Sequence, residues 1–243
     1  MIISGFHSIE SVLIKRPELI QKLFLVSSEN KRSLKILHLA NNSGVSYETV
    51  DPKEIGSIAG NSKHQGFVAH ISSISFLSEK DILPRLSKNK NSKVLILDSV
   101  QDPRNLGACL RSALAFDFDA VITNKDGSSP VNEHVFKTSV GAILSLNIFY
   151  VANLSRSIAI LKEIGFWVLG FDGKGDTSIY SESFPSKTAV VLGSEGGGIR
   201  KLVKKNCDQL IKIPISKDVE SLNISVATGI VLYEVQRQDA GVK

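Results

Sequence analysis

The chain has 243 residues, 42% of them hydrophobic, 22% charged and 7% aromatic, with 29 Lys and Arg against 24 Asp and Glu. This is a globular composition, long enough for one large or two small domains with self-sufficient cores, so neither a disulfide scaffold nor a metal staple is needed. Cys109 and Cys207 stand far apart with no CxxC and no adjacent His pair, which leaves zinc-ligand spacing and a secreted disulfide framework unsupported and reads as reduced thiols. No apolar run approaches the roughly 20 residues of a membrane span. Met1 to Gly5 also lacks the basic start and long apolar stretch of a secretory signal, so the expected location is cytoplasmic, with no membrane partner and no metal.

In chain order, Ile9, Val12 and Leu13 have the i, i+3, i+4 spacing of a first helix that stops at Pro17. A strand is predicted at Lys22–Val26, a helix at Ser33–Asn41 closed by Gly44, and a strand at Val45–Val50. A short helix at Pro52–Ala59 and a strand at Gly66–Ile71 complete a small α/β layer over residues 1–72. Residues 73–93, rich in Ser, Asn and Lys, read as a linker and entry segment with one apolar patch at Ile82, Leu83 and Leu86. From 94 to 243 the alternation strengthens. Strands are predicted at Val94–Asp98, Ala120–Thr123, Leu146–Val151, Phe166–Phe171, Ala189–Leu192 and Gln209–Ile213. Helices are predicted at Asn105–Phe116, Val131–Val140, Leu154–Ile164, Ile199–Lys205 and Ser221 to about Arg237. The continuous apolar run at Val94–Leu97 is that of a strand buried on both faces. A parallel sheet covered on both sides follows, and its ligand belongs at the carboxyl ends of the strands.

The charge is unevenly placed. Residues 1–72 hold 8 basic and 6 acidic side chains, residues 73–93 hold 5 and 2, and residues 94–243 hold 16 of each. The whole excess therefore lies in the first 93 residues, where a polyanion such as RNA would be met. Lys88, Lys90 and Lys93 either serve that role or solvate a connector.

Three strand ends carry polar residues where such a sheet binds ligands. After Asp98, the segment Ser-Val-Gln-Asp-Pro-Arg-Asn leads into a helix that Asn105 could cap, with Arg111 six residues on. After Leu192 comes Gly-Ser-Glu-Gly-Gly-Gly, whose glycines let backbone approach a ligand. It matches neither a phosphate loop nor a dinucleotide fingerprint. Glu195 within it disfavours an anionic ligand and suits a cation or a hydroxyl. After Ile213 a loop runs to Ser221, a candidate N-cap for the last helix. That helix carries two apolar stripes, Leu222, Val226, Ile230 and Tyr233, and Ile224, Ala227, Val231 and Val235, enough for its own domain and a partner subunit.

Taken together, LDSVQDPRNLGACLRSA, SVGA at 139–142, VVLGSEGGGIRKLVKKNCDQLIKIPI and ESLNISVATGIVLYEVQRQ resemble the ordered motifs of the SpoU (TrmH-like) branch of the SPOUT RNA 2′-O-methyltransferases. GFHSIESVL and HQGFVAHI are similar to the L30e-like substrate-binding domain of the same family. The resemblance spans nearly the whole chain and is strongest to bacterial enzymes that methylate a guanosine in the peptidyl-transferase region of 23S rRNA. It implies a small L30e-like α/β domain followed by a parallel-sheet domain with a C-terminal trefoil knot, a homodimer formed through the knotted domain, and S-adenosylmethionine as cofactor. It further implies cofactor contacts from Gly173, Leu192, Gly193, Glu195, Gly196, Gly197, Ile213, Pro214, Ile215 and Leu222, with Asp172 in the same wall. For catalysis it nominates Asn105, Arg111, Glu195, Ser221 and Asn223. A guanidinium stays protonated, so Arg111 is expected to grip a phosphate and developing alkoxide charge rather than act as a base. Glu195 is either a brace or the proton acceptor.

Two departures from the family pattern, Ile215-Ser-Lys-Asp-Val219 where a glycine is usual and Leu144-Ser-Leu-Asn147 where a proline is usual, touch local geometry only. Methylation of a tRNA or another rRNA nucleotide is the alternative within the enzyme class. A non-catalytic RNA-binding assembly factor is the alternative outside it.

Overall fold

A computed structural model describes residues 1–28, 30–60 and 63–241. Its chain divides into two units, residues 1–75 with 131–145, and residues 76–130 with 146–243.

The first unit runs β1 (Ile2–Ser4), α1 (Phe6–Lys15), β2 (Ile20–Val26), α2 (Lys31–Asn42), β3 (Tyr47–Val50), α3 (Pro52–Ala59) and β4 (Phe67–Ile71). Among the described residues its sheet has the order β1-β4-β2-β3, with β4 antiparallel to both neighbours and β2 parallel to β3. Local chemistry sets the helix starts. Asn30 accepts the backbone N–H groups of Arg32 and Ser33, and Asp51 those of Lys53 and Glu54, satisfying donors that the first turn leaves open. Pro52 stands at the first helical position, where its missing N–H costs nothing. Ile9, Val12 and Leu13 are all buried.

In the second unit α4 (Ile82–Leu86) precedes β5 (Ser92–Asp98), α5 (Pro103–Ala115) and β6 (Ala120–Asn124). After α6 (Glu133–Ser139), which belongs to the first unit, come β7 (Asn147–Val151), α7 (Leu154–Glu163), β8 (Trp167–Phe171), β9 (Thr177–Ser178), β10 (Lys187–Gly193), α8 (Lys201–Asn206), β11 (Gln209–Lys212) and α9 (Ile224–Asp239). Among the described residues the seven strands form one sheet, order β7-β6-β5-β10-β8-β11-β9, parallel throughout. Val94, Ile96, Ile122, Val168 and Val191 pack one face of it against Leu154, Ile158 and Leu161 of α7. α5 and α9 pack on each other, with Cys109 Sγ 3.3 Å from Thr228 Oγ1 in their buried contact.

Two sequence expectations change here. The segment from 76 onward serves as the entry to the second unit rather than as a free linker. Leu77 donates its N–H to Ile148 O and accepts from Tyr150 N, both at 2.9 Å, and Ile82 and Leu86 are buried. Lys93 is engaged, its Nζ donating to Gln236 Oε1 at 2.5 Å and pairing with Asp239 at 3.0 Å, so it does not serve as a solvated connector cation.

Residues 131–145, read from the sequence as part of the second domain, pack with the first unit. Ser4 Oγ donates to Glu133 Oε1 at 2.6 Å, and Lys15 Nζ donates to Gly141 O at 3.2 Å and Ser145 Oγ at 2.8 Å. Gly141 has φ +76°, and a Cβ there would stand 2.6 Å from Ser11 Oγ. The glycine of the SVGA motif is thus demanded by a close approach to α1.

Candidate active site

The parallel register brings four loops to one end of the sheet. Asp98 ends β5 beside Gly193 of β10, and Leu192 pairs with Phe171 at the end of β8. The loops after β5, β8, β10 and β11 therefore leave from adjoining strand ends. The chain reverses here, because β10 lies between β5 and β8, and such a switch point opens a crevice.

Each loop is shaped by local chemistry. Asp102, not Asn105, caps α5, its Oδ1 accepting the N–H of Arg104 at 2.8 Å. Pro103 at the first helical position fixes the start there, which leaves the Asn105 side chain free for the site. α9 likewise starts after Asn223, whose Oδ1 accepts Ser225 N at 2.9 Å and Ser225 Oγ at 2.6 Å; Ser221 lies in the extended chain before it and is not the cap. The glycine loop turns back sharply, Gly198 N donating to Ser194 O at 2.9 Å. A Cβ on Gly193 would lie 1.9 Å from the Gly198 carbonyl carbon, so no other residue fits. α8 begins only at Lys201, which removes Glu195 from a helix N-terminus.

What holds Glu195 is a pair of amides. Asn105 Nδ2 donates to its Oε1 at 3.1 Å, and Asn223 Nδ2 donates to the same oxygen. Asn223 Nδ2 also donates to Asn105 Oδ1 at 3.2 Å. With Asn223 Oδ1 occupied by Ser225, the amide orientations are mutually consistent. Oε2 of Glu195 makes no hydrogen bond among the described residues, and the side chain is exposed, open to a large substrate. Val100, Gln101, Asp102, Asn105, Ser194, Glu195 and Ile224 line the recess at this cluster.

A second cavity opens beside it, lined by Phe171, Leu192, Ile213, Ile215, Leu222 and Ala227, by Gly173, Gly193, Gly198 and Ser221, and by the carboxylates of Asp172 and Glu220. Burial raises the pKa of Asp172, but its ion pair with Lys204 and the hydrogen bond from Lys174 N outweigh that and hold the carboxyl below its ordinary range. The apolar walls suit a flat heterocycle, and, with the Asp172 charge met by Lys204, Glu220 is the lining carboxylate left to face a positive charge.

Of the sequence candidates, Asn105, Glu195 and Asn223 come together, and Gly173, Leu192, Gly193, Ile213, Ile215, Ser221 and Leu222 line the adjoining cavity. Gly196, Gly197 and Pro214 line neither space. Arg111 is exposed on α5, makes no hydrogen bond or ion pair among the described residues, and lines neither space. Glu220 and Asp98 escape the sequence reading. The only trace of Asp98 is a lone charge closing the apolar run Val94–Leu97.

Known proteins share this chain's sequence pattern and fold. The profile of the SpoU rRNA Methylase family matches residues 92–233, and one described as RNA 2′-O ribose methyltransferase substrate binding matches residues 2–77. The chain is 38% identical over 237 residues to the 23S rRNA (guanosine-2′-O-)-methyltransferase RlmB of Salmonella typhimurium, covering 97% of this chain and 98% of that protein. It is 40% identical to RlmB of Vibrio vulnificus, covering 97% and 96%. The fold superposes on the SpoU methyltransferase AviRb from Streptomyces viridochromogenes, solved with AdoMet, with a TM-score of 0.82 at 19% identity, covering 100% of this chain and 91% of that one. With the profile match covering most of the chain and the relatives aligned nearly end to end, this protein belongs to the SpoU rRNA methylase family.

Proposed function

We infer that this protein transfers a methyl group from S-adenosylmethionine to the ribose 2′-hydroxyl of a guanosine in 23S rRNA, in the cytoplasm. The near full-length similarity to RlmB proteins supports the substrate. The observation that carries the chemistry is the Asn105–Glu195–Asn223 cluster standing next to an apolar cavity with two carboxylates.

The residues fit the cofactor. Phe171, Leu192, Ile213, Ile215 and Leu222 offer an apolar slot for the adenine, the loop glycines let backbone come close, and Glu220 suits a cation. Bound there, S-adenosylmethionine supplies an electrophilic methyl group on a positively charged sulfur. The protein's task is then to aim the hydroxyl and take its proton. Asn105 and Asn223 fix Oε1 of Glu195, which leaves Oε2 as the acceptor position for that proton. Arg111, exposed and unpaired among the described residues, lies outside both spaces of its own chain, so its role toward the substrate phosphate and the developing alkoxide is one it would play at the partner's site in the homodimer inferred below. The basic excess of residues 1–93 supports RNA binding through that part of the chain.

The reading extends to a trefoil knot around the cofactor loops and to a homodimer. On α9 one stripe, Ile224, Val231 and Val235, is buried, while Val226, Ile230 and Tyr233 are 50%, 38% and 56% exposed. An apolar row of this kind on a surface helix supports a subunit contact.

The test is incubation with methyl-labelled S-adenosylmethionine and either 23S rRNA or bulk tRNA. Label at a guanosine of 23S rRNA is expected. Label on tRNA alone favours the alternative substrate, and no cofactor binding by calorimetry favours a non-catalytic RNA binder.

A further inference from the structure

We propose that Asp98 is a positioning residue that sets the distance between Asn105 and Glu195 by clamping both of the loops that carry them. Its carboxylate is fully buried, yet no substrate-facing role accounts for a charge there. Oδ2 accepts the backbone N–H of Arg200 at 2.8 Å, and Oδ1 accepts Arg200 Nε–H at 2.6 Å and Ser99 Oγ–H at 3.1 Å. In the sheet, Asp98 is the register partner of Gly193. The loop that holds Glu195 therefore leaves the sheet beside Asp98 at Gly193 and is tied back to Asp98 at Arg200.

The loop toward Asn105 leaves from the same residue. Its first member, Ser99, has φ +62°, a left-handed conformation that a non-glycine residue rarely holds unless its surroundings impose it. Asn124, buried at the end of β6, imposes it by accepting Ser99 N–H at 2.9 Å. The carboxylate thus ties the glycine loop back to the strand end from which the Asn105 loop leaves, with Asn124 holding the first residue of that second loop, and the 3.1 Å contact between Asn105 and Glu195 is made where the two meet. A buried charge tolerates few arrangements, since each acceptor position must stay filled, and this rigidity suits a residue that fixes geometry.

This inference rests on Asn105 and Glu195 belonging to the reacting centre. Asp98→Asn keeps the volume but supplies one acceptor oxygen instead of two. In single-turnover methylation of 23S rRNA it is expected to slow transfer about 10- to 100-fold, the scale of a misplacement near 1 Å, while affinity for S-adenosylmethionine by calorimetry falls by less than the rate does, since the same loop gives only Gly193 and Gly198 to the cofactor cavity. Combined with Glu195→Gln it should cause no further loss, because both changes remove one arrangement. Should Asp98→Asn fail to fold, Arg200→Gln removes the guanidinium half of the clamp from a half-exposed side chain, leaves the backbone N–H bond to Oδ2 in place, and must show a smaller loss in the same direction with the same non-additivity. An unchanged rate, or losses that multiply in the double variant, overturns the inference. If Glu195→Gln itself leaves the rate unchanged, the reading of the site fails instead.

Discussion

The side-chain amide of Asn105 reaches Oε1 of Glu195 at 3.1 Å although 90 positions separate them in sequence. The contact exists because β5 and β10 are neighbours in the sheet, so their loops leave side by side. Asn105→Ala removes one of the two donors on the carboxylate and frees its rotamer. Its methyl transfer is expected to fall about 100-fold with cofactor affinity retained, the usual scale for losing one preorganised hydrogen-bond donor at a reacting centre. Single-turnover rates with 23S rRNA and a calorimetric titration check both halves, and a comparable loss of cofactor binding would reassign Asn105 to the cofactor cavity.

Arg111 stands apart from that cluster, exposed on α5. A guanidinium that stabilises charge only as the hydroxyl reacts contributes nothing to holding the cofactor. Arg111→Ala should therefore keep its affinity for S-adenosylmethionine and lose methyl transfer by about two orders of magnitude or more. Arg111→Lys should recover only part, since a point charge cannot replace a planar fork against phosphate. Transfer near the wild-type rate in the alanine variant would remove Arg111 from the account.

The exposed stripe on α9 makes a separate prediction about assembly. Ile230→Asp with Tyr233→Asp places two charges where a subunit contact is inferred, while Ile224, Val231 and Val235 keep the helix seated on its own domain. Light scattering at micromolar concentration should give a dimer for the wild type and a monomer for the variant, with the melting profile of the residual monomer still cooperative. A monomeric wild type contradicts the dimer.

The thiols carry a pH prediction. Burial pushes Cys109 up to about 11 despite the Thr228 hydroxyl beside it, and burial with the nearby Asp208 charge pushes Cys207 up to about 12. The thiolate is the reactive form, so at pH 8 only about one thiol in a thousand or fewer is ionised, against about a quarter for a free cysteine. Alkylation of the native protein should be slow at pH 8 and accelerate toward pH 11. Rapid labelling at pH 8 without unfolding would show that one of these sites opens.

Much of this fold is legible in sequence because its strongest signals are periodic. The apolar run Val94–Leu97 marks a strand covered on both faces, and the spacing along α1 and α9 marks their buried sides. What periodicity cannot convey are elements of two or three residues, such as β1 and β9, and the choice between competing caps. Asp102 and Asn105 are both good capping residues, and only Pro103 between them decides. Motif glycines are visible but not their reasons. Gly193 meets the backbone of its own loop, whereas Gly141 meets Ser11 across 130 residues. Asp98 stayed hidden because its partner, Arg200, is brought to it only by the return of the glycine loop.

Methyl transfer to one guanosine hydroxyl is read out by mapping 2′-O-methyl groups in 23S rRNA from a strain deleted for this gene. One 2′-O-methylguanosine should disappear, return with the wild-type gene and stay absent with Glu195→Gln. Full retention of every 2′-O-methyl group in 23S rRNA, with loss of one from a tRNA, would contradict it.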